Sequence, residues 1–255
     1  MAENDPTTLV STDWLAARLG DRDVRVFDAS YYLPDAGRNA RAEYAAGHIP
    51  GAHFFDIDDI VDKNNAVPHM AAPPEIFAHH MHTLGVDDQT QVVVYDGAGV
   101  FSAARVWWNF RLMGKTNVAV LDGGFPKWCA EGRPIDDGVP ATPRAGSMTV
   151  HHRPALVRDT AQVAAAAKLG DWQIVDARSP TRFKGDAPEP RKGLRAGHIP
   201  NSKNVHYATL LNADGTMKGA QDLRAVFEAA EINVTHPTIT TCGSGVTAAI
   251  LMLAL

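Results

Sequence analysis

The sequence predicts an α/β protein made of two copies of one domain, each a parallel sheet covered by helices on both faces, with the second copy truncated at its C-terminus. Three observations predict this. VRVFDAS (24–30) is echoed by QIVDARS (173–179), each a strand-like apolar run ending in Asp-Ala. AGHIPGA (46–52) returns as AGHIPNS (196–202), and VVVYDGAGVFSAARV (92–106) parallels TITTCGSGVTAAIL (238–251). The pairs Asp28/Asp176, Gly47/Gly197 and Asp96/Cys242 stand 148, 150 and 146 residues apart. Near-constant offsets over three separate blocks mark a duplicated unit of about 130–150 residues, an ordinary domain size.

The elements follow in order from local chemistry. Ser11-Thr12-Asp13 before Trp14 reads as the start of a helix over 12–19, and Pro73-Pro74-Glu75 before Ile76 as the start of one over 74–84. The β-branched runs 91–95 and 238–241 read as strands, and 222–230 as a further helix. Strands alternating with helices favour a parallel sheet. Proline-rich, aperiodic sequence around Pro140, Pro143 and Pro154 separates the copies, giving domains over 1–138 and 155–255 with a linker at 139–154. After Asp96 the first copy runs 32 residues to Trp128, whereas 13 residues follow Cys242, so the second copy is expected to lack its last strand and helix.

Composition narrows the function. The chain has 255 residues, 45% of them hydrophobic and 21% charged, enough for a sizeable core. A net charge of −5 without a basic block argues against nucleic acid or an anionic membrane as partner. No signal-peptide pattern and no run of about 18 apolar residues is seen, so a cytoplasmic protein is expected. The two cysteines, Cys129 and Cys242, are then expected as thiols, Cys129 as a small buried hydrophobe in the helix-like FPKWCAEG.

Cys242 is different, because it sits where a strand hands over to a helix, at the carboxyl end of a parallel sheet where ligands gather. Gly243 and Gly245 let the backbone curl so that N–H groups point at the sulfur, and the start of the next helix adds positive potential. Both effects favour the nucleophilic thiolate. The first copy's equivalent loop, YDGAGV, keeps its glycines but carries Asp96 in place of the cysteine. Phosphatase chemistry would need an arginine six residues beyond the cysteine, and that position is Ala248. His79, His80 and His82 lack a completing ligand on one helix face, His151-His152 lies in the linker, and Gly123-Gly124 lacks a phosphate-loop ending; neither metal nor cofactor is expected.

The doubled domain, the Gly-His-Ile-Pro blocks and above all CGSGVT resemble the tandem rhodanese-type sulfurtransferases, and among them the 3-mercaptopyruvate sulfurtransferases, over nearly the whole chain. Thiosulfate-preferring relatives carry a Cys-Arg-Lys-Gly-Val-Thr type of loop; Gly243 and Ser244 replace its two cations here, which points to a less charged donor. The resemblance implies a loop of Gly243, Gly245, Val246 and Thr247 around the sulfur, and Arg182 and Arg191 in the segment TRFKGDAPEPR binding the donor carboxylate and keto group. It also implies a Ser244, His69 and Asp58 triad beside the sulfur, between the domains. The implied activity moves sulfur from 3-mercaptopyruvate through a Cys242 persulfide to thioredoxin, a small thiol or cyanide, releasing pyruvate. The alternatives are thiosulfate as donor, or a non-catalytic binding protein of the same fold.

Overall fold

A computed structural model describes residues 4–33, 36–191 and 193–255. The chain forms two compact units, one of Met1–Pro154 with Ala213–Thr216, the other of Ala155–Asn212 with Met217–Leu255.

The first unit holds β1 (Leu9–Val10), α1 (Thr12–Ala16), β2 (Val24–Asp28), α2 (Ala40–Ala46), β3 (His53–Phe54), α3 (Pro74–Thr83), β4 (Gln91–Tyr95), α4 (Ala103–Leu112), β5 (Val118–Leu121) and α5 (Gly124–Ala130). All pairings are parallel, in the order β1-β5-β4-β2-β3. Helix α1 starts where expected because the Ser11 side chain accepts the Trp14 N–H, satisfying one of the donors a helix start leaves over. In β4, Val92, Val93, Val94 and Tyr95 are all fully buried, so both faces of the central strand are covered, as a parallel sheet requires. On one face Val93 and Tyr95 pack with Leu15 of α1 and Trp128 of α5. On the other an aromatic cluster joins Phe27 of β2 to Phe55, Phe77 of α3 and Phe110 of α4, with ring centroids 5.1–6.3 Å apart.

The stretch 139–154 is irregular, as its prolines dictate, and is pinned to the first unit. Ser147 donates to Asp87 through its N–H and hydroxyl (2.7 and 2.8 Å), Thr149 binds Asp88, and the N–H groups of His151 and Arg153 reach the carbonyls of Met113 and Leu112.

The second unit holds α6 (Thr160–Leu169), β6 (Gln173–Asp176), α7 (Pro180–Lys184), β7 (Lys203–Asn204), α8 (Ala220–Ala229), β8 (Thr238–Thr241) and α9 (Ala248–Ala254). Its parallel sheet runs β7-β6-β8. A reciprocal capping box between Asp159 and Gln162 opens α6, and Gly170 closes it at φ +70°. Ile174 and Ile239 pack under α6 against Ala166 and Ala167. Among the described residues β8 pairs with β6 alone, and its burial is correspondingly shallower than that of β4. The repeated Gly-His-Ile-Pro turn keeps its geometry: Gly51 and Asn201, the residues after each proline, both take left-handed backbone, at φ +73° and +63°. No helix among the described residues is long and apolar enough to cross a membrane.

Candidate active site

Strand β8 delivers Cys242 to the carboxyl end of the second unit's sheet, half-buried, in a loop that runs to Ala248. Its Sγ accepts the backbone N–H of Gly245 at 3.0 Å. That turn needs a glycine, since residue 245 stands at φ +74°, a backbone conformation costly for a side chain. Helix α9 starts six residues beyond the cysteine and Thr247 gives it no side-chain cap, so the loop, not the helix start, supplies the donor recorded at the sulfur. Val246 is buried and ties the loop to the interior, while Ser244 and Thr247 are partly exposed.

At Gly243 the backbone is not left-handed, and a Cβ there would lie 2.9 Å from Arg182 Nη2, the far end of a flexible side chain. Arg191 reaches the same residue, Nη2 donating to the Gly243 carbonyl. Both candidate donor-binding arginines therefore converge on the residue next to the nucleophile. Arg182 sits in the last turn of α7, whose start Ser179 caps by accepting the Arg182 N–H. Its guanidinium donates through Nε and Nη2 to Glu189 (3.2 and 2.6 Å). Glu189 also accepts from Arg178 Nη1 at 2.8 Å, and Arg178 forks onto Asp176, the last residue of β6, at 2.6–3.0 Å. An open cavity of about 870 Å³ reaches Cys242 and Gly243 past Arg178 and Glu189, with apolar walls from Val163 and Ile199. The sequence pattern does not single out Asp176, Arg178 or Glu189; the one available signal is an arginine directly after the strand-ending Asp-Ala, where the first copy has Ser30.

Asp58 and His69 come together in the first unit, His69 Nδ1 standing 3.3 Å from Asp58 Oδ1. The Tyr31 hydroxyl is 3.5 Å from Nε2, and Arg105 Nη2 donates to the His69 carbonyl at 2.7 Å. His69 is held at φ +61°, a strained backbone for a residue with a side chain, and such strain gathers at functional sites. Asp58 and His69 thus form one cluster, and Cys242, Ser244, Arg182 and Arg191 another.

Cys129 departs from expectation. It is exposed, because α5 buries Gly124 and Trp128, one turn apart, and residue 129 lies about 100° further round the helix. The two Gly-His-Ile-Pro histidines serve packing: His48 and His198 each give Nδ1–H to a backbone carbonyl (2.9 and 2.8 Å) and stack on Tyr44 and Phe183. Among the described residues no three His, Cys, Asp or Glu side chains gather as a metal site.

This geometry has relatives. The rhodanese-like domain family matches the chain twice, over residues 11–131 and 159–255. Thiosulfate/3-mercaptopyruvate sulfurtransferase 2 of Arabidopsis thaliana is 42% identical, covering 100% of this chain and 80% of its own. The 3-mercaptopyruvate sulfurtransferase of Escherichia coli K12 is 39% identical over 98% of this chain and 88% of its own. The crystal structure of Escherichia coli SseA superposes with a TM-score of 0.88 at 36% identity, over 96% of this chain and 92% of that one. Two matched domains, the second presenting a cysteine on its strand-to-helix loop, make this chain a member of the rhodanese-like domain family.

Proposed function

We propose that the protein is a sulfurtransferase that takes sulfur from 3-mercaptopyruvate. The carrying observation is the convergence of Arg182 and Arg191 on Gly243, beside a sulfur that already accepts a backbone N–H. Two guanidinium forks suit an α-keto acid, whose carboxylate and carbonyl oxygens lie side by side. The Cys242 thiolate attacks the donor's sulfur; the new S–S bond forms as the donor's C–S bond breaks, and the electron pair leaves on carbon as the enolate of pyruvate. Arg182 and Arg191 stabilise the charge as it develops on the carbonyl oxygen. The enolate takes up a proton to give pyruvate, and we assign that proton's supply to the Asp58–His69 pair together with Ser244. The outer sulfur then passes by thiol exchange to an acceptor, either a thiol such as thioredoxin or a small thiol, or cyanide. The carrier is the persulfide on Cys242.

Donor treatment followed by mass spectrometry tests this. An adduct of about 32 Da, one sulfur atom, is expected on Cys242 with 3-mercaptopyruvate and is lost in Cys242→Ser. An adduct that survives the substitution sinks Cys242 as nucleophile, and no adduct in the unmodified chain sinks the activity in favour of a binding role. The Arabidopsis relative's name carries both donors, so thiosulfate is run alongside; equal loading from both would replace the keto-acid reading with a dual-donor enzyme.

A further inference from the structure

Glu189 sits between the two candidate substrate arginines in sequence, flanked by Pro188 and Pro190. Its side chain is 4% exposed and both oxygens are engaged: Oε1 by Arg178 Nη1 and Arg182 Nε, Oε2 by Arg182 Nη2. Burial pushes its carboxyl up, but the Arg182 and Arg178 guanidinium groups outweigh this and hold it below the usual carboxylate range. It is therefore a fixed anion. The contacts form a relay that starts on the sheet: Asp176 at the end of β6 holds Arg178, Arg178 and Glu189 pair, Glu189 holds Arg182, and Arg182 occupies the space that a Cβ on residue 243 would crowd.

The grip is side-on. Of the five N–H donors of the guanidinium, Glu189 takes the Nε–Nη2 edge, leaving the two on Nη1 outside that pair. Charge follows the same logic. Glu189 offsets part of the positive charge that Arg178 and Arg182 bring beside the nucleophile, which suits a monoanion better than a dianion.

Resting on the sulfurtransferase reading above, we propose that Glu189 is a positioning residue that aims the Nη1 end of Arg182 at the donor carboxylate and sets the pocket's net charge to favour a monoanionic donor over a dianionic one. A glutamate that instead competed with the substrate for Arg182 would show the opposite kinetic sign, which makes the two roles separable.

The test is Glu189→Gln in the full chain, an isosteric change that removes the charge. KM for 3-mercaptopyruvate is expected to rise roughly tenfold, about the effect of one misdirected charge-assisted hydrogen bond, with kcat changed less than about threefold. The kcat/KM ratio of 3-mercaptopyruvate over thiosulfate should fall, since a more positive pocket suits the dianion. In an Arg182→Lys background the same substitution should add little, because its effect runs through Arg182. An unchanged or lowered KM, or an effect that simply adds to that of Arg182→Lys, overturns the proposal. If Glu189→Gln melts before it can be assayed, Glu189→Asp carries the same cycle, with the same meaning for additive and non-additive outcomes. An unmodified chain that forms no Cys242 adduct overturns both readings; an adduct-forming chain whose Glu189→Gln variant keeps the original KM overturns this one alone.

Discussion

Gly97 and Gly243 occupy the same place in the two units, one residue after the loop's central side chain, and each carbonyl accepts from an arginine: Arg38 in the first unit, at 3.3 Å through either Nη, and Arg191 in the second. The loops then part at the residue before. Asp96 is 1% exposed, and its carboxylate accepts the N–H groups of Ala98, Phe101 and Ala103, each at 2.8 Å. Cys242 is half-exposed and accepts one N–H recorded at 3.0 Å. The strand-to-helix turn thus points backbone N–H groups at its central side chain in both units. In the first it is closed on an internal carboxylate that holds the loop together; in the second it is left around a sulfur that a donor can reach. The fold supplies the turn, and the side chain at one position decides whether it serves structure or chemistry.

Asp96→Cys breaks that comparison most severely. A thiol is a weak acceptor with one atom where the carboxylate has two, so of the three N–H groups, that of Ala103 buried and those of Ala98 and Phe101 part-buried, at least two lose their partner, at up to about 1–3 kcal/mol each. We expect the first unit to lose about 3–5 kcal/mol, read as a lower midpoint in thermal or urea unfolding. In a Cys242→Ser background the new cysteine should gain no sulfur adduct, because a side chain buried as Asp96 is gives the donor no access. A stable Asp96→Cys protein that takes up sulfur would show that the turn alone makes the site.

Asp28 and Asp176 sharpen the contrast at the next strand. Both end a central strand in Asp-Ala, and each accepts the N–H two residues on, from Ser30 at 2.8 Å and Arg178 at 2.9 Å. Asp176 also receives the Arg178 guanidinium, whereas among the described residues no cation pairs with Asp28, and burial pushes its carboxyl up from 3.8 to about 6, with the nearby Asp96 charge adding to the rise. Between those two values the folded chain holds a proton that the unfolded chain releases, so stability is full below pH 4 and falls as pH rises to about 6. That rise corresponds to roughly 3 kcal/mol for a group only 3% exposed. Asp28→Asn keeps the acceptor for Ser30 and removes the titration. The stability of the variant relative to the parent should therefore climb by up to that amount between pH 4 and 7; a difference that stays flat across that range rules the assignment out.

What the sequence made legible was local. The strands 91–95 and 238–241 stand where their β-branched runs place them, and α1 and α3 begin at the predicted residues, because side-chain caps, prolines and apolar runs act over a few positions. The glycine bracket around Cys242 was legible for the same reason. The Asp176–Arg178–Glu189–Arg182 relay was not, since it joins a strand end, a short helix and a loop that meet only when the chain folds, and no spacing rule encodes an ion pair across them. Cys129 misled in the same way: a cysteine beside a tryptophan in a short helix looks like core, and only the packing of Trp128 against Leu15 and Tyr95 decides which face is buried.

Gly243→Ala carries the smallest expected effect and tests why both loops keep a glycine after the central residue. In the first unit a Cβ at Gly97 would lie 2.3 Å from the Tyr32 hydroxyl, on a ring stacked under Arg38 at 3.8 Å, so the ring or the loop must move. In the second, the obstacle at 2.9 Å is the far end of Arg182, a flexible side chain, and residue 243 has no left-handed backbone to resist an alanine. Folding should therefore hardly notice, with a stability change within about 0.5 kcal/mol. The guanidinium must still shift off the backbone, and with it the group that meets the donor carboxylate. We expect KM for 3-mercaptopyruvate to rise roughly threefold to fivefold at nearly constant kcat, the pattern of binding lost equally from ground and transition states. Gly97→Ala, by contrast, should lower the melting temperature and leave KM alone. Were Gly243→Ala to leave KM unchanged as well, the close approach of Arg182 to that backbone would have no part in binding the donor, and the two glycines would share a single structural reason.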